Sequence, residues 1–246
     1  SSADLGADAI RSEEMLRVPR RLKRSRRHKL LILEWLKGEP LHQVWREPGF
    51  PLQKIQGVGA ALAQLHAQKT KGLQHRSPEQ EAIAILSAAE ACTAVCPSLE
   101  KAIRKVSLKL AEELLEKPCQ FRPVHGDFSA DQVVLRNGNT GFLDFDSAAL
   151  GDPAHDMGSF IAQLEYDQIK DGILDSRKNA VANAFVSGYL AGRHAGHPLH
   201  IRLHAAIGLI RRLPHPFRNR EPNWRQLTQS LFERAGEIFN DASYSP

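Results

Sequence analysis

Three side chains with oxygen donors lie close together in one segment of the sequence, residues 125–156. Asp127 follows the pair His125-Gly126, Gln132 comes five residues later, and Asp144 follows an apolar run. Carboxylates can accept a proton, and carboxylate and amide oxygens can bind a hard cation. These residue types therefore make the segment the first candidate for chemistry.

A β-hairpin would bring the three side chains together. Two short apolar runs, 132–136 and 140–145, flank the turn residues 137–139, which read Asn-Gly-Asn. Apolar runs separated by such a turn are typical of a hairpin. Pairing of the two strands would place Gln132 and Asp144 near each other, beside the segment that carries Asp127.

This cluster suits phosphoryl transfer, in which the protein positions an acceptor hydroxyl and holds Mg²⁺ on the phosphates. Mg²⁺ takes hard oxygen ligands, usually one or two carboxylates together with water and phosphate. The segment also contains the runs HGDFSADQ, LDFD and GDPAHD. Together these runs resemble the signature of the aminoglycoside phosphotransferase family, the small-molecule branch of the protein-kinase-like fold.

The resemblance implies a role for each motif residue. Asp127 would be the catalytic base that accepts the proton of the substrate hydroxyl, and Asp144 would be the principal Mg²⁺ ligand. Gln132 stands where the family usually has Asn and would be the second metal ligand through its longer side chain. His125 would orient the catalytic loop through hydrogen bonds without being the base itself.

Three further aspartates follow in the same region. Asp146 is left out of the metal set, on the expectation that it points away from Asp144. Asp152 and Asp156 are expected to cap helices and to hold the loops of the site in place.

The resemblance covers roughly residues 28–240. Residues 29–41 look like the strand and hinge that join the two lobes of the kinase-like fold, with 30–33 as a buried central strand. ATP would contact the hinge and the strand before the metal ligand. The residues assigned to it are Glu34, Trp35, Leu36 and Leu143.

The amino-terminal part departs from the family. A complete member has a β lobe with a glycine-rich phosphate loop and a strand lysine before the hinge, and residues 1–28 contain neither. Residues 7–16 are predicted to form a short helix, in which Glu13 or Glu14 matches the family's helix glutamate. Either the protein is naturally short here or further residues precede Ser1.

Composition indicates a protein of the cytoplasm. The chain has 246 residues, 42% hydrophobic and 25% charged, enough for a sizeable core. We see no transmembrane run or secretory signal, and the three cysteines match neither a disulfide framework nor a metal motif. We therefore expect a reducing compartment and no membrane partner.

The net charge of +5 has a local origin. Eight cations lie between residues 17 and 29, so the rest of the chain carries a small net negative charge. A solvated hairpin or connecting loop is the leading interpretation of this basic segment, with phosphate or polyanion contact and targeting as alternatives. Because aromatic residues do not interleave with the cations, we expect no nucleic-acid partner.

Histidines and arginines near the carboxyl end raise two further questions. A transition-metal site is the minor interpretation of four spaced histidines, against surface or packing roles: His194, His197, His200 and His204. Family members that act on cationic antibiotics often present acidic residues here. This chain is instead rich in arginine, which favours a neutral or anionic hydroxylated substrate: Arg211, Arg212, Arg218 and Arg220.

Helical periodicity and proline breaks predict helices near 52–68, 78–93, 98–116, 154–166, 174–193, 199–213 and 223–240. The fold class is α+β and protein-kinase-like: an amino-terminal lobe remnant and hinge at 1–36, then a mostly helical lobe with the catalytic hairpin at 37–246. The expected function is ATP- and Mg²⁺-dependent phosphorylation of a small-molecule hydroxyl. The rival is a pseudokinase-like binding module with impaired catalysis.

Overall fold

The computed structural model describes residues 9–192 and 200–241. The helices are α1 (Leu41–Val44), α2 (Leu52–Ala67), α3 (Pro78–Val95), α4 (Glu100–Glu116), α5 (Pro153–Asp171), α6 (Asp175–Gly192), α7 (Ile201–Arg212), α8 (His215–Arg218) and α9 (Trp224–Asn240). The strands are β1 (Leu16–Arg17), β2 (Arg21–Ser25), β3 (Leu30–Leu33), β4 (Glu39–Pro40), β5 (Arg122–Val124), β6 (Val133–Leu135), β7 (Thr140–Phe142) and β8 (Ala149–Gly151). All seven helices predicted from the sequence are present within a few residues.

The predicted hairpin is formed by β6 and β7, which pair antiparallel with Val134 opposite Gly141. It is the centre of a four-stranded sheet in the order β1-β7-β6-β4, in which β1 is parallel to β7. Two smaller antiparallel pairs, β2–β3 and β5–β8, complete the described strands. The sheet thus joins the amino-terminal segment to the β6–β7 hairpin.

Local sequence signals explain where the helices begin and end. At α3, Ser77 accepts from the backbone N–H of Gln80, whose side chain in turn accepts from the Ser77 N–H. This reciprocal arrangement satisfies two N–H groups that a helix start leaves without partners. Helix α5 begins after Asp152, which accepts from the Ala154 N–H, and ends at Gly172 in the left-handed conformation. The capping role expected for Asp152 agrees with this geometry.

Two hydrophobic clusters form the core. One lies under the hairpin and between α2 and α6, where the rings of Phe128, Phe160 and Phe185 stack. The other is enclosed by α3, α4, α7 and α9. Helix α5 contributes to both, so it connects the β6–β7 hairpin to the helices behind it.

The helix predicted for residues 7–16 is wrong in its described part. Only Ala9 is assigned as helical, and Leu16 already belongs to β1. Hydrogen bonds to other parts of the chain hold this segment instead. The Met15 N–H donates to Gln64 Oε1, and the Met15 carbonyl accepts from the Thr140 N–H.

Strand β3 forms as expected, but the prediction that it is buried is wrong. Leu30, Ile32 and Leu33 are 58%, 49% and 39% exposed. Of the described strands only β2 pairs with β3, and β2 is largely exposed as well. A continuous apolar run is buried only when both of its faces are covered, and the described residues leave one face open. The basic segment forms a hairpin, one of the two structures in the leading interpretation, a solvated hairpin or a connecting loop.

Helices α2 and α6 meet at glycines. A Cβ on Gly59 would collide with the Phe185 carbonyl, and a Cβ on Gly188 would collide with the Gln56 carbonyl. The two helices therefore approach each other backbone to backbone, with no side-chain layer between them. None of the helices in the described residues is long and apolar enough to cross a membrane.

Replacing Gly188 with Ala should destabilise the protein by about 1–3 kcal/mol, because the added methyl group forces the helix backbones apart. Gly236 in α9 is the matched control, since a Cβ there meets nothing within 4 Å. Gly236→Ala should be neutral or stabilising by up to about 1 kcal/mol through helix propensity. Urea denaturation measures both variants, and equal effects would contradict the close contact.

Candidate active site

A buried carboxylate holds the loop that carries Asp127. Asp156 on α5 accepts from the backbone N–H of His125 at 2.6 Å and from that of Gly126 at 2.9 Å. Asp156 is fully buried. Two successive N–H groups thus converge on one side chain, and they set the direction in which the chain enters Asp127. The loop-tethering role expected for Asp156 agrees with these bonds.

Two side chains from neighbouring helices complete the surroundings of Asp156. His66 Nε2 on α2 lies 3.0 Å from Asp156 Oδ2, and His66 Nδ1 lies 2.8 Å from the hydroxyl of Tyr189 on α6. An ionised carboxylate only accepts, so Nε2 of His66 carries a proton and donates to Asp156. Burial alone would raise the pKa of Asp156, but the His66 hydrogen bond and the nearby imidazoles hold it well below its usual range.

Leu143 joins the catalytic loop to the hairpin. The His125 ring donates through Nε2 to the Leu143 carbonyl at 2.7 Å, and the Leu143 N–H donates to the Gln132 carbonyl at 2.9 Å. Asp127 is two residues from His125, and Asp144 follows Leu143 directly. The candidate base and both candidate metal ligands are therefore tied to one residue, as the hairpin prediction requires.

Gly126 has a positive φ of 84°. A Cβ at this position would collide with the Ser147 carbonyl. Glycine is required here both for the left-handed conformation and for the close approach of the two loops. His125 is fully buried between the rings of Phe128 and Phe145.

Asp144 also adopts the left-handed conformation, with φ 62° and ψ 66°, which is uncommon for residues other than glycine. It borders a cleft of about 280 Å³ that lies against the β2–β3 hairpin. The cleft is lined by Val18, Pro19, Leu31, Leu33, Asp144, Phe145 and Asp146. A carboxylate beside an apolar wall could serve a ligand with both an apolar ring and a charged group.

The expectation that Asp146 points away from Asp144 is wrong, since both aspartates line this cleft. Residues two apart share a face even in an extended strand. Here Phe145–Ser147 form a turn of 3₁₀ helix. Asp146 therefore joins the side chains available at the cleft.

The hinge residues follow β3 at the edge of this cleft. The Glu34 carboxylate pairs with Arg17 at 2.8 Å and Arg20 at 3.1 Å. Hydrogen bonds from Arg17 and then Arg20 lower the pKa of Glu34 to about 2. Trp35 is 85% exposed, whereas Leu36 is buried. The side chain of Glu34 thus fastens the hinge to β1 and to the residue before β2, and it is not free for a ligand.

Asp127 is exposed and lies within electrostatic reach of α7 and α8. Burial lowers the pKa of Arg212 to about 10, and the charge of Asp127 opposes this shift. Burial lowers the pKa of His215 to about 4, with Arg212 acting in the same direction and Asp127 against it. His215 is therefore neutral at pH 7.

The four arginines noted near the carboxyl end divide into two pairs. Arg212 is buried and donates to the Ser159 and Gly208 carbonyls, while Arg211 pairs with Glu81 at 3.5 Å. These two stabilise the fold. Arg218 and Arg220 are exposed and border an open cleft of about 490 Å³, together with Phe217, Glu221, Pro222 and Trp224.

The histidine cluster gains no support as a metal site. His194 and His197 lie outside the described residues, and His204 is buried, which lowers its pKa to about 3. Among residues 9–192 and 200–241, no group of three His, Cys, Asp or Glu side chains could hold a metal ion.

Sequence reasoning missed His66 and Tyr189. His66 follows Leu65 on the apolar face of α2, and a histidine at such a position indicates a buried polar partner. No comparable signal marks Tyr189. Its position shows only when α6 is packed against α2.

The kinase-like lobe and the paired catalytic segments define the class, a phosphotransferase with the protein-kinase-like fold. The profile of the phosphotransferase enzyme family, APH, matches residues 7–199, so the chain belongs to that family and is a phosphotransferase enzyme. No sequence match to a curated protein was found.

Solved structures share the fold at low sequence identity. A choline/ethanolamine kinase family protein from Mesorhizobium loti is 12% identical with a TM-score of 0.61, covering 92% of this chain and 74% of that one. APH(2")-IIia, in complex with GDP and kanamycin, is 17% identical with a TM-score of 0.59, covering 96% and 82%. A mutant of APH(4)-Ia with AMP-PNP and hygromycin B is 15% identical with a TM-score of 0.65, covering 99% and 82%.

Replacing Asp156 with Asn should destabilise the protein by about 1–3 kcal/mol, because the amide NH₂ would face one of the buried donors. The difference in unfolding free energy between parent and variant should be constant near neutral pH. This difference should become smaller below the usual aspartate pKa of about 4, because the unfolded parent takes up a proton there and the folded parent does not. Asp131→Asn, at an exposed position, is the control. A pH-independent gap would contradict the depressed pKa.

Proposed function

We propose that the protein transfers the γ-phosphoryl group of ATP to a hydroxyl group of a small molecule. The observation that carries this proposal is the double attachment of Leu143, to His125 on one side and to Gln132 on the other. It holds an exposed carboxylate, Asp127, and a second carboxylate, Asp144, on two segments that cannot move independently. Phosphoryl transfer depends mainly on such positioning.

Asp127 is the proposed base. The acceptor oxygen attacks the γ-phosphorus, a new P–O bond forms, and the bond to the leaving diphosphate breaks. The hydroxyl proton passes to the Asp127 carboxylate. His125 does not take part in this proton transfer, because its Nε2 donates to Leu143 and the ring is fully buried. It remains a positioning residue.

The side chains at the hairpin suit Mg²⁺. Asp144 supplies an exposed carboxylate at the cleft and Gln132 a partly exposed amide oxygen, and these hard donors are few enough to leave room for phosphate and water. Asp144 and Gln132 would hold the ion, with Asp146 beside them. When bound, Mg²⁺ would neutralise charge on the phosphates.

The adenine of ATP would enter the cleft beneath β3. Leu31 and Leu33 provide the apolar wall, and the backbone of Glu34, Trp35 and Leu36 lies at its edge. Leu36 is buried and fixes the hinge against the sheet. The structures of APH(2")-IIia with GDP and of APH(4)-Ia with AMP-PNP support nucleotide use in this fold.

The acceptor that we propose is neutral or anionic. Arg218 and Arg220 are the exposed charges of the open cleft after α8, and Phe217 and Trp224 stack edge to face there at 5.1 Å. Cations and aromatic faces suit a hydroxylated acid or sugar better than a polyamine antibiotic. Arg211 and Arg212 make contacts within the fold, so they do not contribute to this preference.

Asp127→Asn should lower kcat by about 10²–10⁴-fold, because the amide cannot take the hydroxyl proton. The thermal unfolding temperature should stay close to that of the parent, since Asp127 is exposed. Asp131→Asn on the following turn should leave kcat unchanged. Turnover of Asp127→Asn within threefold of the parent would exclude the base role. A parent that binds ATP without transfer would favour the binding-module alternative.

Asp144→Asn should weaken Mg²⁺-dependent ATP binding more than Gln132→Ala, because a carboxylate contributes a full charge and an amide only a dipole. Asn is chosen at 144 because it tolerates the left-handed conformation. Isothermal titration with and without Mg²⁺ separates the metal-dependent part. A larger loss in Asp146→Asn than in Asp144→Asn would reassign the principal ligand to Asp146.

A further inference from the structure

Arg76 and His155 lie at the carbonyl of Gly126, whereas Asp156 accepts from its N–H. Arg76 Nη1 donates to this oxygen at 2.9 Å, and His155 Nε2 lies 3.1 Å from it. Gly126 directly precedes Asp127, so its carbonyl belongs to the peptide group that leads into the proposed base. The loop thus has a second attachment point, distinct from the N–H contacts to Asp156.

Arg76 is itself fixed in place. Its Nε pairs with Glu81 Oε1 at 3.1 Å, and its backbone N–H donates to the Leu150 carbonyl at 2.9 Å. Glu81 is buried on the first turn of α3, where its Oε2 lies 3.4 Å from His155 Nδ1 and 3.5 Å from Arg211 Nη1. One carboxylate therefore orients the side chains that surround the Gly126 carbonyl.

Arg76 is the constant hydrogen-bond donor to the Gly126 carbonyl. Burial alone would raise the pKa of Glu81, but His155, Arg211 and Arg76 lower it to about 2, so the carboxylate is ionised at neutral pH. The ionised Glu81 carboxylate holds the Arg76 guanidinium in place. A guanidinium has N–H groups and no acceptor atom, so Arg76 donates to the Gly126 carbonyl whichever tautomer His155 adopts.

We propose that Arg76 is a positioning residue for phosphoryl transfer: it fixes the Gly126–Asp127 peptide and thereby the direction of the Asp127 carboxylate. The proposal rests on the proposed role of Asp127 as base. Arg76 does not touch the reacting atoms and acts only through the loop. Glu81 holds Arg76 in the orientation that this contact needs.

The kinetic test uses Arg76→Ala, with Arg104→Ala as the control because Arg104 forms an exposed pair with Glu100 on α4. Arg76→Ala should lower kcat by about 10–100-fold, since a small misplacement of a catalytic group has effects of this size. The KM values for ATP and acceptor should change less than threefold. Millimolar guanidinium should restore part of kcat in Arg76→Ala but not in Asp127→Asn.

A second measurement does not require activity. Hydrogen exchange of the Gly126 amide should become at least about tenfold faster in Arg76→Ala and stay unchanged in Arg104→Ala, because loosening the carbonyl side lets the loop open. Unchanged exchange would overturn the proposal whether or not the parent transfers phosphate. With an active parent, unchanged kcat would also overturn it. If the parent does not transfer phosphate, faster exchange in Arg76→Ala would still support Arg76 as the anchor of the loop. The proposed function would then fail separately.

Discussion

One buried negative charge organises the candidate active site. An ionised carboxylate removed from water is costly unless its oxygens are hydrogen-bonded. Asp156 meets this requirement with the His125 and Gly126 N–H groups and with His66. Its partners come from the loop before it and from α2, so satisfying the charge also fixes the loop against two helices. The exposed position of Asp127 follows from a contact that is itself fully buried.

The candidate site has a tightly packed foundation beneath the loop and a polar rim above it. Below the loop, Phe128 packs on Phe142, Phe160 and Phe185. Aromatic packing of this kind leaves no room for the loop to sink or tilt. Above it, Leu143 links the segments that carry the proposed metal ligands to the loop. The candidate site therefore lies at the surface of a packed core.

The sequence predicted the helices, the β6–β7 hairpin and the residues gathered around Leu143, because periodicity, turn residues and motif spacing are local signals. It did not predict the roles of His66 and Arg76. Each meets its partner only through tertiary packing, across 90 residues for His66–Asp156 and 50 for Arg76–Gly126. The exposure of β3 was missed for a related reason. An apolar run indicates that a strand could be buried, but not whether another element packs against it.

The glycine contact between α2 and α6 has a consequence for motion. These helices carry His66 and Tyr189, so the hydrogen-bonded line from Tyr189 through His66 to Asp156 has a length set by the helix crossing. If the two helices slid or separated, they would lose both their backbone packing and the hydrogen bonds that connect Tyr189, His66 and Asp156. The helix crossing therefore fixes the floor of the candidate site, whereas β3 in the wall of the cleft is paired, among the described strands, only with β2.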